Sequence, residues 1–136
     1  MMEDYSFKVK QFLLDMGLTI EKEDSSEELF IVSDPENGIQ NLVIDCEYPV
    51  LIIEQLIAKL PEAAKNNPNT LKSFLQMNRK LVHGAFSLDD TGEHIIFRDT
   101  LQLKNLDLNE LEGSINALSL GLAEHGEHII AAVEAH

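Results

Sequence analysis

Between residues 67 and 130 the chain is punctuated so regularly that one succession of elements fits it: NPNTLKSFLQMNRKLVHG, then GAFSLDDTGEHIIFRDTLQL, then DLNELEGSINALSLGLAEHGEHII. Asn67 is placed to cap a helix, with Pro68 at the first helical position, where a missing N–H costs nothing. Leu71, Phe74, Leu75, Leu81 and Val82 carry the apolar stripe of that helix, and Gly84 ends it. Asp89-Asp90-Thr91-Gly92 sits between two short strand-like runs, which reads as a hairpin with a four-residue turn. Asp107 and Glu110 then have the spacing of a capping box. Leu108, Leu111, Ile115, Leu118, Leu122 and Ile129 form one stripe of a long final helix. The stretch is rich in architecture and poor in chemistry, which points to packing and binding.

The first half reads in the same way. Tyr5, Val9, Phe12, Leu13 and Met16 fall at helical spacing, and Gly17 stands where a helix ends in the left-handed conformation. LTIEKE and ELFIVSD alternate as a hairpin, the turn at residues 34–38 (DPENG) separates them from IQNLVIDCEY, and Tyr48-Pro49 breaks the chain again. The run VLIIEQLIAKL at residues 50–60 fits both a helix period and a buried strand; its β-branched start favours the strand. A single helical turn is expected over residues 62–66. The result is an α+β fold, an antiparallel sheet with helices packed against it, in the order α-β-β-β-β-α-β-β-α. No linker or repeat divides the 136 residues, so one domain over residues 1–136 is expected.

Charge narrows the function. With 24 acidic against 10 basic residues the formal charge is -14, which repels phosphate backbones and anionic lipid, so neither nucleic acid nor membrane is an expected partner. The single cysteine, Cys46, cannot form an internal disulfide. The N-terminal MMEDYSFKVKQ has Glu3 and Asp4 where a signal peptide needs a basic and then an apolar run, and no apolar stretch approaches a membrane span. A cytoplasmic protein is expected.

Candidate chemistry is sparse. His125 and His128 are helical neighbours with Glu124 beside them, a potential pair of metal ligands; the alternative is a polar face near a helix end. Cys46 lies in an alternating strand, where a small buried side chain is the common outcome, and Asp45 and Glu47 flank it on the face expected to meet solvent. His83 and His94 bracket the hairpin at its expected open end. No phosphate-binding loop, nucleophile elbow or metalloprotease signature occurs, so no catalytic, cofactor or metal residue is assigned and an enzyme is not expected.

The surface is more informative. Residues 50–60 place Leu51, Ile53 and Ile57 on one side and Val50, Ile52, Leu56 and Ala58 on the other. Both sides of such a strand need cover, from a helix of the same chain or from a partner. Phe74 and Met77 offer a similar choice between core and contact. Leu51, Ile53, Ile57, Phe74 and Met77 are therefore the candidate partner-binding residues.

The run LQMNRKLVHGAFSLDDTGEHIIFRDTLQLKNLDLNELEGSINALSLGLAEHGEHI resembles the C-terminal half of the type III secretion chaperone-like superfamily. That group holds the class I effector chaperones of the Tir-chaperone kind and the YbjN-like proteins. The resemblance rests on Asn78 ahead of a helix end, the Gly84-Ala85-Phe86 strand start and the Asp-Asp-x-Gly turn. Arg98-Asp99-Thr100-Leu101 and Leu106-Asp107-x-x-Glu110-Leu111 complete it. It implies a bacterial, secretion-chaperone-like domain that binds an extended client segment as a homodimer, without catalysis and without a cofactor. The alternatives are a YbjN-like regulatory or stress-related protein without a secretion client and, more distantly, a metal-binding protein using His125 and His128.

Overall fold

The computed structural model describes residues 5–134; Glu3 and Asp4, which bear on the signal-peptide reading, lie outside that range. The first helix, α1 (Tyr5–Asp15), buries Val9 and Leu13 and ends at Gly17 with φ 76°, the left-handed stop its sequence specifies. Four strands follow: β1 (Thr19–Asp24), β2 (Leu29–Asp34), β3 (Ile39–Glu47) and β4 (Val50–Lys59). A one-turn helix α2 (Glu62–Lys65) leads to α3 (Pro68–Asn78), the hairpin β5 (Ala85–Leu88) and β6 (His94–Gln102), and the long α4 (Leu108–Glu134).

Every pairing is antiparallel, and the sheet order is β1-β2-β3-β4-β6-β5. The ambiguous run at residues 50–60 is thus a strand, and it lies in the middle of the sheet. Tertiary pairing decides the matter, because β4 hydrogen-bonds to β3 on one side and β6 on the other.

One face of the sheet forms the core. Phe30, Val32, Leu42, Ile44, Leu51, Ile53, Phe86 and Phe97 pack there with Val9 and Leu13 of α1, Phe74 of α3 and Leu111, Ile115 and Leu118 of α4. The aromatic chain Phe74–Phe86–Phe97 crosses it edge to face, at centroid spacings of 5.7 and 6.4 Å. Gln55 is the one polar residue of β4 buried on this face, and its amide is satisfied. Its Oε1 accepts from the Gln40 backbone N–H and its Nε2 donates to the Gly38 carbonyl, both at 3.0 Å.

Polar ties fix the helices on that face. The Thr70 hydroxyl donates to the Ala132 carbonyl at 3.1 Å, linking α3 to α4, and the Ser114 hydroxyl donates to Asp99 Oδ2 at 2.8 Å, linking α4 to β6. Asn78, at the end of α3, behaves as one residue of an extra strand. Its Nδ2 donates to the Phe86 carbonyl and its Oδ1 accepts from the Phe86 N–H. The turn that follows passes through Gly84, where φ is 72° and a Cβ would stand 2.5 Å from Phe97 Cζ. Only glycine allows that close approach.

Candidate partner-binding surface

The five candidate contact residues are distributed unevenly. Leu51, Ile53, Phe74 and Met77 are buried in the core of the single chain, and Ile57 is half-buried against it. Phe74 and Met77 point inward because Asn78 and Thr70 hold that face of α3 toward β5 and α4. Met77 still lines a depression between α3 and α4, and Ile57 lines another beside Gly38 and Leu122.

The opposite side of β4 is different. Its neighbours across the sheet give the rows Ile31–Val43–Glu54–Arg98–Ala85, Leu29–Asp45–Ile52–Thr100 and Leu56–Ile96–Ser87. None of these side chains is fully buried, and Leu56 is 60% exposed. The doubly apolar pattern therefore reflects one face covered by the chain's own helices and one face that they leave uncovered. Arg98 and Glu54 form an ion pair within this open face.

Asp45 lies in the middle of the open face, with Leu29 and Ile52 as its cross-strand neighbours. It faces the side the alternation predicts, yet it is half-buried and its Oδ1 has no hydrogen-bond partner. Burial first, and then the nearby charge of Glu47, with Glu27 and Glu54 adding to it, push its carboxyl up to about 6. The expectation that the Asp45 and Glu47 pair simply meets solvent fails for Asp45, because the Leu29 and Ile52 side chains that surround it come from other strands.

The histidines separate as well. His125 is buried at 6% exposure toward α3, whereas His128 is exposed, and among the described residues no group of three potential metal ligands gathers anywhere. His94 does not stand at the open end of the hairpin. It sits at the turn, its Nδ1 2.6 Å from Asp89 Oδ2, while Asp89 Oδ1 accepts from Thr91, Glu93 and His94. These bonds, led by the one from Thr91, hold the Asp89 carboxyl down at about 2. His83, at the other end of the hairpin, approaches α4 at Gly113. Cys46 is buried in the core, as its strand position implies.

Further apolar side chains are exposed on the helical side, with Leu75 at 71%, Val82 at 80% and Leu120 at 58%. Val82 and Leu120 line one depression of about 230 Å³ with Leu81, Ala117 and Gly121. A Cβ at Gly121 would stand 2.8 Å from Leu81 Cδ2, so this glycine lets the segment after α3 lie close along α4. Among the described residues no helix is long and apolar enough to cross a membrane.

The chain is thus a six-stranded antiparallel sheet with helices on one face and an apolar face left uncovered on the other. The CesT_Tir_1 family model matches residues 2–135. The chain belongs to this family of type III chaperones. No curated protein sequence matches the chain. Solved structures extend the family likeness at the level of fold. YbjN from E. coli superposes with a TM-score of 0.64 at 13% identity, over 90% of this chain and 92% of that one. A chain of the heterodimeric ExoU–SpcU complex from the type III secretion system of Pseudomonas aeruginosa gives 0.64 at 18%, over 94% and 99%. The structure of the Yersinia pestis type III secretion chaperone SycH, in complex with a stable fragment of YscM2, gives 0.57 at 14%, over 88% and 98%. The CesT_Tir_1 chain thus shares its α+β sheet-and-helix fold with type III secretion chaperones and with YbjN.

Proposed function

We propose that this CesT_Tir_1 protein is a non-catalytic cytoplasmic chaperone that binds an extended, partly apolar segment of a client protein and works as a homodimer. The observation that carries the reading is the open sheet face. Leu29, Ile31, Val43, Ile52, Leu56 and Ile96 lie on a face that the chain's helices do not cover. Apolar area of this kind is commonly an interaction surface. The exposed Leu75, Val82 and Leu120 extend the apolar surface to the helical side, where a second copy or a wrapped segment finds further contact. Family membership supports a client, since the ExoU–SpcU and SycH–YscM2 structures are both complexes of two proteins.

The test is methyl NMR on the Ile and Leu side chains, combined with light scattering. β4 amides are a poor probe, because β3 and β6 already occupy their hydrogen bonds. A client segment is expected to shift the methyls of Ile52 and Leu56 and to leave those of Leu51 and Ile53 nearly still, with light scattering reporting two copies. A monomer whose Ile52 and Leu56 methyls ignore every segment encoded beside its gene sinks the reading. The YbjN-like alternative is favoured by one observation, the equal TM-scores of YbjN and the ExoU–SpcU chain. It predicts a regulatory or stress-related role with no client among neighbouring secretion genes.

A further inference from the structure

The open sheet face is sorted by charge as well as by burial. The row Lys22–Ile31–Val43–Glu54–Arg98 holds two cations and one carboxylate, and there Glu54 is paired with Arg98. The next two rows, Asp24–Leu29–Asp45–Ile52–Thr100 and Glu47–Val50–Gln102, hold three carboxylates and no cation. Asp24 is committed to its own turn, where its Oδ1 accepts from the Ser26 and Glu27 backbone N–H groups and from the Ser26 hydroxyl. Asp45 and Glu47 remain, two positions apart on the same side of β3. Among the described residues neither forms an ion pair with a basic side chain. The β1–β2 turn is held against β3 by the bond from the Cys46 N–H to the Glu28 carbonyl, which brings the charge of Glu27 beside them. The Asp45 carboxyl, raised to about 6, registers both this excess of negative charge and the apolar surroundings given by Leu29 and Ile52. A positive charge is therefore what this part of the face lacks, and the chain's own Lys22 and Arg98 lie in the other row.

We propose that the Asp45–Glu47 side of the open face seats a lysine or arginine side chain of the client, so that the segment it takes is extended and sets a basic residue between apolar ones. Such a seat rests on the client reading of the same face and specifies the chemistry of its segment. An aliphatic stem lies along Leu29 and Ile52 while its charged end reaches Glu47, which is exposed. Asp45 Oδ1 is itself enclosed, so Asp45 acts through its charge and not as a contact of that atom. In an extended segment the side chains two positions away stand about 7 Å from the basic one. Val43 follows Asp45 at that same interval on β3, with Ile31 beside it, and receives the apolar neighbour. A second copy of this chain, at -14, brings mainly further acidic residues and fits the face poorly.

The experiment titrates the intact chain with three peptides, acetyl-Thr-Val-Xaa-Leu-Thr-Ile-amide with lysine, norleucine or glutamate at Xaa, and follows the Val43 and Ile52 methyls by NMR. At about pH 7.5 the lysine peptide is expected to bind about fivefold more tightly than norleucine, its more apolar counterpart, with glutamate weakest. Asp45 is largely protonated at about pH 5 and ionised at about pH 7.5, so the two peptides respond to pH in opposite directions. The lysine peptide tightens as pH rises; the norleucine peptide weakens, because it covers a carboxylate that then has to lose water. Asp45→Asn flattens both trends, and Glu47→Gln, on an exposed side chain, lowers the preference for lysine. Equal shifts of Ile52 by the lysine and norleucine peptides, or a pH trend that persists in Asp45→Asn, overturn the basic seat while leaving the client reading in place. No shift from any of the three peptides removes both.

Discussion

Asp45 shows how much one residue's state depends on strands distant in sequence. Its local sequence, LVIDCEY, alternates cleanly and puts it on the outward face, where it is found. That it is half-buried, with an unpartnered oxygen and a carboxyl raised from 3.8 to about 6, follows from Leu29 and Ile52 closing on it across β2 and β4. The folded-state value lies above the unfolded one, so the native chain binds the extra proton, and the penalty of Asp45 is absent below about pH 4 and fully present above about pH 6. Asp45→Asn is therefore expected to stabilise the free protein by about 1 to 2 kcal/mol at pH 7.5, a figure discounted for partial exposure. The gain should fade toward pH 4. Paired urea titrations at the two pH values check it; an equal gain at both would mean that the carboxyl is not the cause. Among the histidines, sequence spacing makes His125 and His128 neighbours, but only the packing of α3 separates them into one buried and one exposed ring.

At the scale of elements, most of the structure is legible in local chemistry. The Asp107–Glu110 capping box forms as spaced: the Glu110 N–H donates to Asp107 Oδ1 at 2.9 Å, and the Asp107 N–H donates to Glu110 Oε1 at 3.3 Å. Asn67 caps α3 by accepting from the Asn69 N–H at 2.9 Å. The corner between α3 and β5 is less local. Asn78 and Gly84 both read as helix-end signals, yet their work is done against Phe86 and Phe97, on different strands of the hairpin. Gly84→Ala combines a left-handed φ of 72° with a Cβ 2.5 Å from Phe97 Cζ and 3.1 Å from the Arg98 carbonyl. It is expected to cost about 3 kcal/mol. Gly92→Ala, at φ 73° with nothing within 4 Å, should cost about 1 kcal/mol. Thermal denaturation of the two variants makes the comparison, and equal losses would remove the steric argument for Gly84.

For the whole molecule, net charge and the open face act against each other. Bringing two copies of a -14 chain together costs Coulomb energy that apolar contact must exceed. Raising ionic strength shortens the Debye length from about 30 Å at 0.01 M to about 8 Å at 0.15 M, which removes much of that repulsion. Homodimerisation is thus expected to strengthen with salt, in contrast to the weakening that salt produces in phosphate binding. Light scattering across that range measures it, and dissociation on adding salt would show that ion pairs rather than apolar contact hold the copies together.

Periodicity, turns and caps point to the α+β class and to the element order outside residues 50–60, because each depends on residues within a few positions of one another, while the strand at residues 50–60 is settled by its pairing with β3 and β6. Which side of β4 the helices cover, why Leu51, Ile53, Phe74 and Met77 turn inward, and why Asp45 Oδ1 and His125 Nε2 each lack a hydrogen-bond partner are settled by contacts between residues far apart in the chain. An apolar run states that burial is required; only strand pairing and helix docking decide which face receives it.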